Sequence, residues 1–150
     1  MVPDCKKCKN KNCFILNNFS PARISEISNQ KKILRLKKGE YLYKKSSRPN
    51  CVYILLDGCL EIIKKDKNGG KKDFYFVEPG ELFGYRSLIC DEPHNTSAKV
   101  YKNSTVCKIE RDDFFTLFAN NHSLAKNFMK YISEQLTKRE KKLEAKSKSK

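Results

Sequence analysis

From Lys32 to Ile109 the chain is a series of short runs rich in β-branched and aromatic residues, punctuated by glycine, and this texture limits its fold more than any other feature. The runs are Ile33–Leu36, Tyr41–Tyr43, Cys51–Leu56, Cys59–Ile63, Phe74–Val77, Leu82–Phe83, Ser97–Tyr101 and Thr105–Ile109, about eight in all. Asn68-Gly69-Gly70 supplies the positive φ angles of a hairpin turn between two of them. Eight short strands joined by tight turns predict a mainly β domain, a double-stranded β-helix or jelly roll.

Helices flank this region. Ser20-Pro21 offers an N-cap followed by a first-turn proline, and Ile24 and Ile27 fall on one face, so a short helix is expected there. Asp112-Asp113 opens another, carrying Phe114, Phe115, Leu117 and Phe118, and Asn120-Asn121 ends it. A longer helical pattern begins near His122, with Met129, Ile132, Leu136 and Leu143 near heptad spacing and Arg139 interrupting the stripe. A helix this long overruns a small domain, so Met129, Ile132, Leu136 and Leu143 are read as a dimer seam, whereas Leu124 and Phe128 suit a role covering the roll. The last thirteen residues hold seven Lys and Arg and are expected to fray. The expected division is a Cys-rich segment over 1–19, a β-roll with helical flanks over 20–121, and a dimerisation helix with a basic tail over 122–150. No room remains after Leu143 for the packed helices of a helix-turn-helix domain.

The 150 residues suit one core, and no apolar run approaches the about 20 residues that cross a bilayer. Residues 1–13 lack the apolar stretch of a signal peptide, so a cytoplasmic protein without a membrane partner is expected. Seven cysteines, an odd number in a reducing compartment, point to thiols or metal ligands instead of a disulfide framework. The net charge of +15 attracts polyanions such as nucleic acid. Lysine greatly outnumbers arginine and the basic residues are scattered, so compositional bias accounts for the excess equally well.

Three glycine-centred motifs occur in order: Lys38-Gly39-Glu40-Tyr41-Leu42, Val52-Tyr53-Ile54-Leu55-Leu56-Asp57-Gly58 and Pro79-Gly80-Glu81-Leu82-Phe83-Gly84. Together they resemble the effector domain of the cyclic-AMP receptor and fumarate-nitrate regulator (CRP/FNR) family of transcription regulators, over nearly the whole chain. The resemblance implies a cyclic-nucleotide-binding-domain-like β-roll and a long C-terminal helix pairing across a two-fold axis, hence a homodimer. It also implies DNA binding only through a helix-turn-helix domain that this chain does not contain. The family's nucleotide pocket has a glutamate after the last glycine and an arginine in an Arg-Ser-Ala triplet. Here Tyr85 follows Gly84, and the triplet reads Thr96-Ser97-Ala98. Without that guanidinium a buried phosphate lacks the bidentate contact that offsets its desolvation, so cyclic nucleotide is disfavoured as ligand. Gly84, Tyr85, Arg86, Thr96 and Ser97 remain the candidate pocket, with Tyr85 its expected filler.

Cys5, Cys8 and Cys13 form C-x2-C-x4-C, a spacing at which thiolates can converge on one soft metal centre. The resemblance places Cys107 where oxygen-sensing relatives carry a distant cluster cysteine. It thereby implies Cys5, Cys8, Cys13 and Cys107 as ligands of a four-iron four-sulfur cluster, responsive to oxygen or nitric oxide. Those relatives have five residues, not four, between the second and third cysteines. Read from the residues alone, the trio has two alternatives, zinc with His94 or His122 or a bare thiol tail, and Cys107 reads as a small buried hydrophobe. Cys51, Cys59 and Cys90 lack metal-like spacing and read as packing residues. An enzyme is not expected. A cupin-like metal enzyme needs two histidines and a carboxylate around an open site, and the only two histidines lie in a loop and at a helix start.

Overall fold

The computed structural model describes residues 31–65, 68, 70–119 and 121–148, together with Ala22, Ser25 and Asn29. The order is β1 (Lys32–Leu36), β2 (Tyr41–Tyr43), β3 (Cys51–Lys65), β4 (Lys71–Val77), β5 (Leu82–Phe83), α1 (Tyr85–Cys90), β6 (Ser97–Glu110), α2 (Arg111–Thr116) and α3 (His122–Lys148). One antiparallel six-stranded sheet runs β1-β6-β3-β4, with β2 paired to β6 and β5 to β3. It is a mainly β jelly roll with a long C-terminal helix, as the sequence predicts. The chain divides into two compact units, through Thr116 and from Leu117 onward. The helix expected near Ser20 lies mostly outside the described residues, although Ala22, Ser25 and Asn29 are helical.

Two pairs of expected strands are in fact single strands. Cys51–Leu56 and Cys59–Ile63 join as β3, and Ser97–Tyr101 and Thr105–Ile109 join as β6. The glycine at 58 bends the ladder without ending it: the β3–β6 register shifts repeatedly between Leu55 and Leu60, then resumes. Gly58 has φ 99°, and a Cβ there would collide with Ser104 Oγ and the Asn103 carbonyl. The buried Ser104 hydroxyl holds this bulge, accepting from the Cys59 amide at 3.0 Å and donating to the Lys102 carbonyl at 2.6 Å. Glycine is therefore required at 58 by both space and backbone sign.

Alternation along the strands separates two apolar faces. Cys51, Tyr53, Leu55, Leu60, Ile62, Val77, Phe83, Ala98, Val100 and Val106 form the inner core, with Leu34, Leu36, Leu42, Tyr43 and Tyr75 packed against it. Val52, Ile54, Cys107 and Ile109 alternate to the other face and are buried too. That explains the uninterrupted apolar run at the start of β3: a strand covered on both sides has no solvent face to keep polar. α1 packs on β3, and α2 packs on β3 and β6.

The sequence reading missed α1, where Gly84 in the left-handed region ends β5 and starts a turn of helix that closes at Asp91. α2 ends at Thr116 instead of running on to Phe118, and residues 117–119 form a turn. α3 stays helical to Lys148, so its helical span extends into the basic tail beyond Leu143. Phe118 and Phe128 meet with ring centres 5.2 Å apart, and the Asn121 side chain caps α3 by accepting from the Leu124 amide at 3.1 Å. Among the described residues, no helix is long and apolar enough to cross a membrane.

Candidate functional site

The Pro79–Gly84 motif is tied to β3 before it delivers the chain to α1. The Gly80 amide donates to the Leu55 carbonyl at 2.7 Å, and the Leu55 amide donates to the Glu81 carbonyl at 3.2 Å. β5 then pairs Phe83 with Tyr53 and Leu82 with Ile54. Gly84 has φ 77°, and a Cβ on it would lie 3.2 Å from the Tyr53 ring. A larger residue here would press directly on that ring.

Tyr53 belongs to a row of rings that crosses the inner face. Tyr53 stacks on Phe83 with centres 5.4 Å apart and on Tyr43 at 6.2 Å, and Tyr43 stacks on His94 at 3.8 Å, nearly parallel at 14°. His94 is buried and anchored by its backbone: its amide donates to the Ser47 carbonyl and its carbonyl accepts from the Ser46 amide. The rings beside Gly84 are thus Tyr53 and Tyr43, while Tyr85 is buried at the start of α1. Tyr43, Tyr53 and Phe83 carry no site assignment in the sequence, and His94 enters there only as an alternative zinc ligand. In a strand, an aromatic residue that lines a cavity and one that fills a core share the same alternation.

The chemistry of this interior is that of neutral groups. Burial, with the neighbouring Cys51 side chain, pushes the Tyr53 phenol well above its ordinary range, and burial raises the Cys51 thiol as well. Burial lowers the His94 imidazole, favouring its uncharged form. The remaining candidate pocket residues do not add a cation. Thr96 is half-buried just before β6, and the buried Ser97 accepts from the Lys45 amide at 2.9 Å. Arg86 is exposed and engages Glu92 at 3.5 Å.

The candidate metal ligands are distributed unevenly. Cys5, Cys8 and Cys13 lie outside the described residues. Cys107 is buried in β6, with Ile33 of β1 and Ile54 of β3 as cross-strand neighbours, on the face opposite the aromatic row. Among the described residues, no three His, Cys, Asp or Glu side chains are grouped to hold a metal. Cys51 sits in the inner core, Cys59 at the Gly58 bulge and Cys90 exposed at the end of α1. On α3, Met129, Leu136 and Leu143 are 61%, 54% and 53% exposed, and Ile132 is half-buried.

Comparison with known proteins follows the same lines. A family model described as the cyclic nucleotide-binding domain matches residues 33–121. The transcriptional activator protein Anr of Pseudomonas protegens is 27% identical over 101 residues, covering 67% of this chain and 41% of Anr. This chain therefore spans less than half the length of that regulator. An uncharacterized protein of Haemophilus influenzae is 25% identical over 101 residues, covering 67% of this chain and 78% of that protein. The solved sensor domain of the transcriptional regulator DNR from Pseudomonas aeruginosa superposes with a TM-score of 0.71 at 19% identity, covering 82% of this chain and 83% of that one. The chain belongs to the cyclic nucleotide-binding domain family.

Proposed function

We propose that this chain is the sensor and dimerisation module of a CRP/FNR-like transcription regulator that answers a redox signal, oxygen or nitric oxide, and not a cyclic nucleotide. The observation that carries the second half of this reading is the stacked row His94, Tyr43, Tyr53 and Phe83 beside Gly84. Where a nucleotide-binding relative must accommodate base, ribose and phosphate, this interior presents rings and neutral groups. An anion placed there would lose its hydration without gaining a guanidinium.

The redox half rests on the cysteines. Cys107 is compatible with ligation: it is a thiol on the sheet face away from the aromatic row, on a strand adjoining β1, the first strand after the N-terminal segment. Cys5, Cys8 and Cys13 over segment 1–19 would complete the donor set, with the roll over 20–121 as its support and 122–150 as the pairing helix. A four-iron four-sulfur cluster held there supplies a centre that oxygen and nitric oxide attack. On the protein's side, the thiols fix the N-terminal segment to β6, and the exposed Met129, Leu136 and Leu143 stripe, with Ile132 beside it, pairs two chains. Zinc on the same cysteines would draw on His94 or His122, and His94 is already stacked under Tyr43. Sequence-specific DNA contact requires a reading domain outside this chain; the lysines from Lys138 onward contribute phosphate contacts alone.

A second reading is favoured by one comparison. The Haemophilus protein is matched over 78% of its own length, so a chain of this general extent occurs as a protein in its own right. In this reading the chain is a stand-alone β-roll, binding zinc or a small molecule, that joins full-length regulators through the same seam without supplying a reader.

The test is anaerobic purification with iron, sulfide and zinc analysis, repeated on Cys8→Ser and Cys107→Ser. Iron and sulfide in near-equal amounts, lost in both variants, is the expected result. Metal content that ignores Cys107→Ser, or protein that holds no iron after anaerobic reconstitution, removes the redox reading. Calorimetric titration with cyclic AMP should show no heat of binding, and saturable binding would overturn the exclusion of nucleotide.

A further inference from the structure

The outer face of the sheet at its β2-β6-β3-β4 end carries rings and cations that core packing does not call for. Strand register sets Tyr41, Lys99, Glu61 and Phe76 in one row across four strands. Ala98 and Val100 of β6 and Tyr75 and Val77 of β4 point to the inner core, so Lys99, Tyr101, Phe74 and Phe76 point outward. Tyr101 is 46% exposed, and Phe74 and Tyr41 are each 38% exposed. Phe76 links two of these rings, with its centre 5.0 Å from Tyr101 and 5.7 Å from Phe74. The ammonium groups of Lys44 and Lys99 lie 5.1 Å and 5.6 Å from the centre of the Tyr41 ring. Lys64, Lys65 and Lys102 are exposed on the same strands, and Glu61, the carboxylate of the row, is buried.

We propose that this face binds single-stranded nucleic acid, with bases stacking on the Phe74, Phe76 and Tyr101 cluster and phosphates meeting Lys44 and Lys99. The chemistry selects that partner in three steps. A chain of net charge +15, with lysines beside the exposed rings, favours a polyanion. Exposed rings reward a partner with planar π faces, which nucleobases have and an acidic peptide lacks. In a duplex those faces are already stacked on one another, so only an unpaired strand can offer them to a sheet.

The test uses the full chain and a fluorescein-labelled oligo(dT) 20-mer, followed by anisotropy over a range of salt. The chain has seven tyrosines and no tryptophan, so quenching of tyrosine emission reports stacking directly. Replacing Phe74→Ala and Tyr101→Ala together should weaken binding about tenfold or more, remove much of the quenching, and leave the salt slope unchanged. Lys44→Gln with Lys99→Gln should instead shallow the slope of log affinity against log salt by roughly 1.4. Both ring positions are at the surface, and an unchanged thermal melt shows that the fold is kept. Equal affinity of the ring-depleted and parent proteins would overturn the proposal, leaving the lysines as a general polyanion surface. So would a duplex that binds as tightly as the single strand, or poly-glutamate that displaces the oligonucleotide at equal charge concentration, which would assign the face to an acidic protein.

Discussion

The first half of β3 and the α3 stripe from Met129 to Leu143 both carry large apolar residues, and the chain treats them in opposite ways. From Cys51 to Leu55 every residue is buried, on one face by the inner core and on the other among Val52, Ile54 and Ile109. Along α3, Met129, Leu136 and Leu143 stay more than half exposed at intervals of one heptad. Burial is completed within the chain in one case, and among the described residues it is not in the other. An apolar residue in β3 therefore contributes to folding, whereas under the proposed pairing role one on the α3 stripe contributes to association.

Substitution is the most direct way to break this contrast. Leu60→Ala, at a fully buried position, should lower unfolding free energy by about 3–4 kcal/mol, read from urea denaturation at a concentration where the protein is monomeric. A loss under 1 kcal/mol would mean that the roll is less tightly packed than β3 indicates. Next in size is Gly58→Ala, where the left-handed backbone and the collision with Ser104 and Asn103 together cost on the order of 3 kcal/mol. Its expected mark is a folded protein of lower melting temperature; an unchanged melt would show that the bulge relaxes freely.

Leu136→Ala should do the reverse. It should change monomer stability by less than about 0.5 kcal/mol and weaken self-association about tenfold or more, measured by sedimentation equilibrium. If stability falls and association does not, the stripe covers its own chain and the contrast fails.

The smallest effect concerns His94. Burial lowers its folded pKa below the unfolded value of 6.5, so the unfolded chain binds the extra proton. The stability due to its neutral form is complete above pH 6.5 and is lost as pH falls below that value toward the folded pKa. Urea midpoints should decline from pH 7 to pH 5 in the parent protein and decline less in His94→Phe, which keeps a ring against Tyr43. Parallel curves would show that the stacked imidazole titrates as it does in solution.

Much of this architecture is legible in the residues because it follows from period and punctuation. The runs at Ile33–Leu36, Tyr41–Tyr43 and Leu82–Phe83 fall within or match β1, β2 and β5, and His122 opens α3 as its heptad pattern requires. The glycines mislead in one respect. Gly58 reads as a strand end, but a bulge pinned by Ser104, which lies 45 residues from its partner Cys59 along the chain, lets the ladder continue through the bend. No local pattern announces such a partner. The site is less legible than the fold for a related reason. Thr96 in place of an arginine can be read directly, and it argues against a phosphate clamp. That Tyr43 from β2, Tyr53 from β3, Phe83 from β5 and His94 from a loop line up as one stack depends on four separate segments converging.

The pinned bend also restricts how the roll can move. A one-residue slide between β3 and β6 would turn every inward side chain outward, and the offset locked at Gly58 forbids it. The two long strands are thus held against sliding past one another along the stretch from Leu55 to Leu60.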